Sequence, residues 1–289
     1  MPDYTWWSGG QVAHLDTPDG RLAYRYWEES KDATRTLIGI HGLGGNNDNY
    51  IALGEALKPG VAVYAIDLAG NGESGTAGDV AGREVHVRNL EALSALIRAR
   101  HPSARHYLAG YSLGAAYASV WAANHANTHS GLILFASPFR SVIRPPKHLE
   151  LIFRVLAAIA PRRRISVKFR SETGVDPRYV FEMSSRRFIR TRTLRSLKVA
   201  LDTLPAGERA LPQITIPTLI VHGDADRVAL PEGARLAHQR LGATDKTLRW
   251  IPGAQHDLHD VLSGIKRSDV SDAQRAPVIE IVREWLANH

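Results

Sequence analysis

Between a strand-like segment, Arg105–Ala109, and an alanine-rich, helix-like one, Ala115–Asn124, stands Gly110-Tyr111-Ser112-Leu113-Gly114. A chain that passes from strand to helix in so few residues must double back sharply, and glycines on both sides keep the two elements from colliding. The residue at the tip is held in a strained backbone conformation, and its side chain projects alone above the sheet edge. A serine there is a candidate nucleophile. The backbone N–H that follows it, of Leu113, is a candidate oxyanion donor by the geometry of such an elbow.

A serine hydroxyl is a weak nucleophile and needs a base, and the base needs a group that fixes its tautomer. Both have candidates downstream. The apolar run Thr218–Val221 ends in His222-Gly223-Asp224-Ala225-Asp226-Arg227-Val228, which puts carboxylates in the turn after a buried strand. A second run, Thr247–Ile251, leads through Pro252-Gly253-Ala254-Gln255 to His256. The order Ser112, Asp226, His256 sets nucleophile, acid and base at successive strand ends. Asp224 competes with Asp226 for the acid, and Asp226 also suits the capping of a following helix. His259 competes with His256, although a loop position beyond a strand suits a mobile base better than the ensuing helix. The cluster His256, Asp257, His259, Asp260 has the look of a metal site, yet no distal ligand stands out, so neither metal nor cofactor is expected.

The wider pattern alternates strands and helices. Gln11–Leu15 and Arg21–Trp27 flank the turn signal Thr17-Pro18-Asp19-Gly20 and read as an antiparallel hairpin at a sheet edge. Strands are expected at Thr36–Ile40, Val61–Ile66, Tyr107–Ala109, Leu132–Phe135, Leu219–Val221 and Leu248–Ile251. Helices are expected at Arg83–Arg100 and Ala276–Ala287. This is an α/β chain with a mostly parallel central sheet and helices on both faces.

The segments His41-Gly42-Leu43-Gly44-Gly45, Asp67-Leu68-Ala69-Gly70-Asn71-Gly72-Glu73-Ser74, the serine elbow, the Asp226 turn and Asp245–Leu248 through His256–His259 together resemble the α/β-hydrolases of the monoacylglycerol lipase and lysophospholipase type, also labelled serine aminopeptidase S33-like. The likeness spans nearly all of the chain except its middle. It implies a serine hydrolase that cleaves carboxylic esters through an acyl-enzyme, on monoacylglycerols, lysophospholipids or simple esters. It implies Leu43 as the second backbone oxyanion donor. His41 is in isolation a further candidate for catalysis, but its place beside glycines suits a prop for that loop. The likeness also favours Asp226, whose spacing from Gly223 fits the family's turn. Asn71 departs from the family, which usually carries histidine in a Gly-His-Gly turn. Two rivals remain open. An aminopeptidase or amidase with the same triad would need carboxylates for a substrate ammonium, with Glu172, Asp176 and Glu182 as candidates. A non-catalytic hydrolase-fold binding protein would carry the triad as a relic.

At 289 residues and 44% hydrophobic content the chain suits one enzyme domain with an insertion. It has no cysteine, which excludes disulfides, a thiol nucleophile and cysteine-ligated zinc. Met1–Trp7 lacks the basic and apolar regions of a signal peptide, and no stretch reaches the length of a spanning helix, so a cytoplasmic enzyme is expected. Pro138 and Pro145-Pro146 break the pattern after Ala136 and open a helical cap over 139–211, between core segments 1–138 and 212–289.

Phe139–Ala210 holds 17 Lys+Arg against 6 Asp+Glu, +11, and leaves the rest of the chain 19 against 23, −4. Within the cap, Leu149–Ala160 reads as an apolar helix stopped by Pro161 and followed by Arg162-Arg163-Arg164. That pairing suits peripheral contact with an anionic membrane. The competing reading is a lid helix packed over a cleft beside a solvated basic face. In that cleft Tyr111, Leu151, Ile152, Phe153, Val155 and Leu156 would bind the acyl chain of an ester or lipid substrate. Nucleic acid is not an expected partner, because the arginines lack a recognition-helix pattern or interleaved stacking aromatics.

Overall fold

The computed structural model of the chain describes residues 9–28, 30, 32–142, 145–166, 189–256, 258 and 272–289. Its strands are β1 (Gln11–Thr17), β2 (Gly20–Trp27), β3 (Arg35–Ile40), β4 (Val61–Ile66), β5 (Arg105–Tyr111), β6 (Gly131–Phe135), β7 (Arg164–Ser166), β8 (Thr191–Thr193), β9 (Thr218–Gly223) and β10 (Lys246–Ile251). Eight of them form one sheet in the order β1-β2-β4-β3-β5-β6-β9-β10. The β1–β2 hairpin and the β2–β4 pair are antiparallel; every later pair in that sheet is parallel. The hairpin turns where Gly20 takes φ +106°, a conformation that glycine adopts freely, and Thr17 Oγ1 donates to the Gly20 carbonyl at 2.7 Å.

Helices cover both faces because both faces of the inner strands are apolar. Leu37, Val63, Tyr107, Ile133 and Leu219 point to one side, against α1 (Ile51–Ala56) and α7 (Asp272–Asn288). Their neighbours Ile38, Tyr64, Leu108, Leu132 and Ile220 point to the other, against α2 (Arg83–Arg100), α3 (Leu113–Asn124) and α6 (Pro231–Arg240). Period-two alternation in these buried runs therefore feeds two cores. Each fully buried aliphatic side chain contributes roughly 2–3 kcal/mol.

The parallel register levels one rim of the sheet. Tyr111 pairs with Phe135, Phe135 with Val221 and Val221 with Arg249. The carboxyl ends of β5, β9 and β10 thus lie side by side, and the loops leaving them emerge together.

The segment between β6 and β9 carries α4 (Lys147–Ile159), the antiparallel β7–β8 pair and α5 (Leu194–Ala210). α5 lies against α3 so closely that a Cβ on Gly207 would come within 2.8 Å of Ala116. Arg154 ties α4 to α5 by bonding both Glu150 and Asp202. Thr193 and Arg195 anchor the start of α5 on Asp79, in the loop after β4, with Oγ1 and Nε each 2.7 Å from its Oδ1. α4 ends at Ile159, just before Pro161, and Arg162–Arg164 are exposed. The short β7–β8 pair, α5 and α6 have no counterpart among the elements expected from sequence.

Candidate active site

Ser112 stands where β5 gives way to α3, at φ +52° and ψ −122°, one of two described non-glycine residues in the left-handed region. Such a conformation costs on the order of 1–3 kcal/mol and persists only where the surroundings over-determine it. Here a Cβ on Gly110 would fall 2.4 Å from the Gly114 carbonyl, and one on Gly114 would fall 2.2 Å from the Ile40 carbonyl. The two glycines let strand, helix and the end of β3 meet. The other residue at positive φ is Ala136, just past β6, whose N–H donates to the Val221 carbonyl at 3.0 Å.

Three side chains from three strand ends converge. Ser112 Oγ lies 3.0 Å from His256 Nε2, and His256 Nδ1 lies 2.8 Å from Asp226 Oδ2. Because a carboxylate only accepts, Nδ1 carries the imidazole proton and Nε2 offers its lone pair to the serine hydroxyl. Asp226 Oδ1 accepts the N–H groups of Val228 and Ala229 at 2.8 and 2.9 Å, which fixes the carboxylate plane. His256 and Asp226 are both buried. Asp224, the alternative acid, is exposed and accepts the Gly253 N–H at 2.7 Å. Asp257, His259 and Asp260 lie outside the described residues, among which no group of three or more potential ligands is arranged to hold a metal.

Two surrounding residues have roles that sequence reasoning did not assign. His222, fully buried on β9, accepts the Ser137 N–H at Nδ1, so its Nε2 carries the proton and donates to the Ala229 carbonyl at 2.8 Å. Burial pushes its pKa down, so it stays neutral beside Asp226, which lies 3.5 Å away. It braces the acid turn without adding charge. Tyr111 donates its hydroxyl to the His256 carbonyl at 2.6 Å, with its ring centroid 5.5 Å from the imidazole. Expected to line the acyl pocket, Tyr111 has its polar end engaged by the backbone of the candidate base.

The loop after β3 lies against the elbow. A Cβ on Gly42 would approach that of Ser112 to 3.2 Å, and Leu43 follows before Gly44 at φ +80°. His41 accepts the Leu68 N–H at Nε2 and donates from Nδ1 to the Gly42 carbonyl at 2.7 Å, stitching this loop to the one after β4. Burial lowers its pKa to about 4. Leu113 opens α3, so its N–H is one of the helix's unpaired terminal donors. A small recess opens beside this pair, lined by Leu43, Leu113, Leu68, Val80, His86 and Arg192 among others. Leu151, Ile152, Val155 and Leu156 do not line it: they are 50–64% exposed on α4, and Phe153 is partly buried.

Residues 31–260 match the family described as serine aminopeptidase, S33. The chain is 30% identical to monoglyceride lipase of Rattus norvegicus over 96% of its own length and 90% of the relative's. It is 23% identical to monoacylglycerol lipase of Mycolicibacterium smegmatis, over 93% and 94%. A soluble variant of monoglyceride lipase from Saccharomyces cerevisiae, solved with a substrate analog, superposes with a TM-score of 0.81 at 19% identity, covering 100% of this chain and 98% of that one. That likeness is one of fold, and it agrees with the sheet order and the strand-end convergence. With the family model spanning most of the sequence, the chain is a member of the serine aminopeptidase S33 family of α/β hydrolases.

Proposed function

We propose that this protein hydrolyses carboxylic esters through an acyl-enzyme, acting on monoacylglycerol-like or lysophospholipid-like substrates. The observation that carries the reading is the unbroken hydrogen-bonded run from Ser112 through His256 to Asp226, built on a serine held at positive φ. Ser112 Oγ attacks the ester carbonyl as His256 Nε2 takes its proton. Asp226 keeps the proton on Nδ1 and stabilises the imidazolium, and His256 then protonates the departing alcohol. Water repeats the cycle on the acyl-enzyme. The backbone N–H groups of Leu43 and Leu113 receive the oxyanion, each worth about 3 kcal/mol of transition-state stabilisation.

The relatives named monoglyceride lipase and monoacylglycerol lipase support a glycerol ester as substrate. The carboxylates that the amidase alternative would need, Glu172, Asp176 and Glu182, fall outside the described residues. A silent binding protein gains nothing from strain at Ser112. No described helix is long and apolar enough to cross a membrane. The exposed face of α4, with Arg162–Arg164 at its end, supports peripheral contact with an anionic lipid surface.

A serine-directed phosphonate is expected to label Ser112, and Ser112→Ala to abolish turnover of short p-nitrophenyl esters while its melting curve stays cooperative. Peptide mapping that finds the label on a different serine rejects the assignment. Comparing kcat/KM for monoglycerides, lysolipids, simple esters and aminoacyl amides then fixes the substrate class.

A further inference from the structure

The recess beside Leu43 and Leu113 has a mixed lining, and two buried groups in it, Arg192 and His86, are cationic or able to donate. Arg192, carried there by β8, is only 5% exposed. Among the described residues its guanidinium bonds two neutral oxygens, Asn71 Oδ1 and, at 3.4 Å, Ser196 Oγ, and no carboxylate. Asp79, in the loop after β4 that also carries Asn71, is already committed to Arg195 and Thr193. His86, 3% exposed, lines the same recess with its ring edge-on to Tyr117, and its Nδ1 has no hydrogen-bond partner among the described residues. Native interiors rarely leave a guanidinium without a counter-ion or an imidazole nitrogen without a partner.

Resting on the ester-hydrolase reading, we infer that Arg192 and His86 form a counter-ion site for an anionic oxygen group, a carboxylate or phosphate, carried by the ester substrate. The planar guanidinium fork suits such oxygens, and the His86 Nδ1–H can supply a further donor. Burial lowers the Arg192 pKa only to about 10, so the group is charged at neutral pH, while His86 is driven down to about 3 and stays neutral. One anionic ligand therefore balances one cation. Asn71 fits this arrangement. Its amide nitrogen donates to the Leu68 and Ala69 carbonyls, which leaves Oδ1 to orient Arg192 without neutralising it.

Two matched substrate pairs test the site on the intact enzyme. p-Nitrophenyl valerate against p-nitrophenyl hydrogen glutarate places a carboxylate at the end of the acyl group. A monoacylglycerol against its glycerol phosphate counterpart with the same acyl chain places a phosphate on the alcohol side. The anionic member of one pair is expected to have a kcat/KM about tenfold or more above its neutral partner, as suits a charge-assisted hydrogen bond. Arg192→Gln is expected to collapse that ratio. Titration of Ser112→Ala protein with glutarate and with inorganic phosphate is expected to show saturable binding that Arg192→Gln removes. No preference in either pair together with no anion binding overturns the inference, whatever the rate on neutral esters. Anion binding without turnover of any ester would instead sustain the site and reject the hydrolase reading. If Arg192→Gln does not fold, the wild-type ratios and the Ser112→Ala titration decide the matter.

Discussion

The residues flanking Ser112 and those around Arg192 both line one recess, and the two regions are built differently. Around Ser112 the triad and its braces are fully paired: Asp226 takes two backbone amides and an imidazole, and His222 and His41 are each bonded at both ring nitrogens. Around Arg192 the charge is only half met, and α4 beyond it presents an apolar face outward. The triad with its braces is complete in itself, as groups that must hold a fixed geometry through a reaction need to be. The inserted segment is complete only in company. On the proposed function, reaction type would belong to the strands and choice of ester to what lies between β6 and β9.

Three experiments break or sharpen this contrast. Asp226→Asn, which keeps the shape but lets the imidazole adopt the wrong tautomer, is expected to lower kcat on the order of 10⁴-fold with little change in KM. A loss under tenfold in steady-state kinetics would mean that the triad with its braces is not the self-contained unit described.

Acid tests the buried imidazoles. Burial holds His41 at about 4 and His86 and His129 at about 3, against 6.5 for an exposed ring. Below pH 6.5 the unfolded chain binds protons that the folded one refuses, so stability falls as pH drops from about 6.5 towards those values. Each ring costs on the order of 2 kcal/mol by pH 5. Asp79, held to about 2 chiefly by its hydrogen bond from Arg195, keeps its stabilising contribution until the pH falls below 3.8. The decline in Tm between pH 7 and 5 is therefore expected to come from histidine; a flat Tm over that interval would show that these rings protonate in place.

The smallest effect is expected on α4. Ile152→Glu with Leu156→Glu changes exposed positions, so the shift in stability should stay within about 0.5 kcal/mol. Co-sedimentation with anionic vesicles at low salt should nevertheless fall. Unaltered vesicle binding would remove α4 from the lipid contact.

What the sequence made legible follows from the range of the forces involved. The elbow, the strand ends and the two apolar periodicities are local, and residues a few positions apart suffice to reveal them. From sequence Tyr111 reads as an acyl-chain contact, because nothing local indicates that its hydroxyl meets a carbonyl 145 positions away. His222 looked like one more residue of a buried strand. Arg192 was hidden differently, as one arginine in a strongly basic stretch, and its partner Asn71 lies 121 positions off. The Asn71 departure from the family's histidine was the one visible trace of it. For Leu151, Ile152, Val155 and Leu156, amphipathic spacing identified an apolar face, but such spacing does not say what the face looks toward.

The bond from Tyr111 to the carbonyl of His256 joins the residue just before the attacking hydroxyl to the loop that bears the base. When the sheet flexes, the two reacting atoms ride on a common strut, so their spacing is insulated from movements that shift either element against the rest of the molecule.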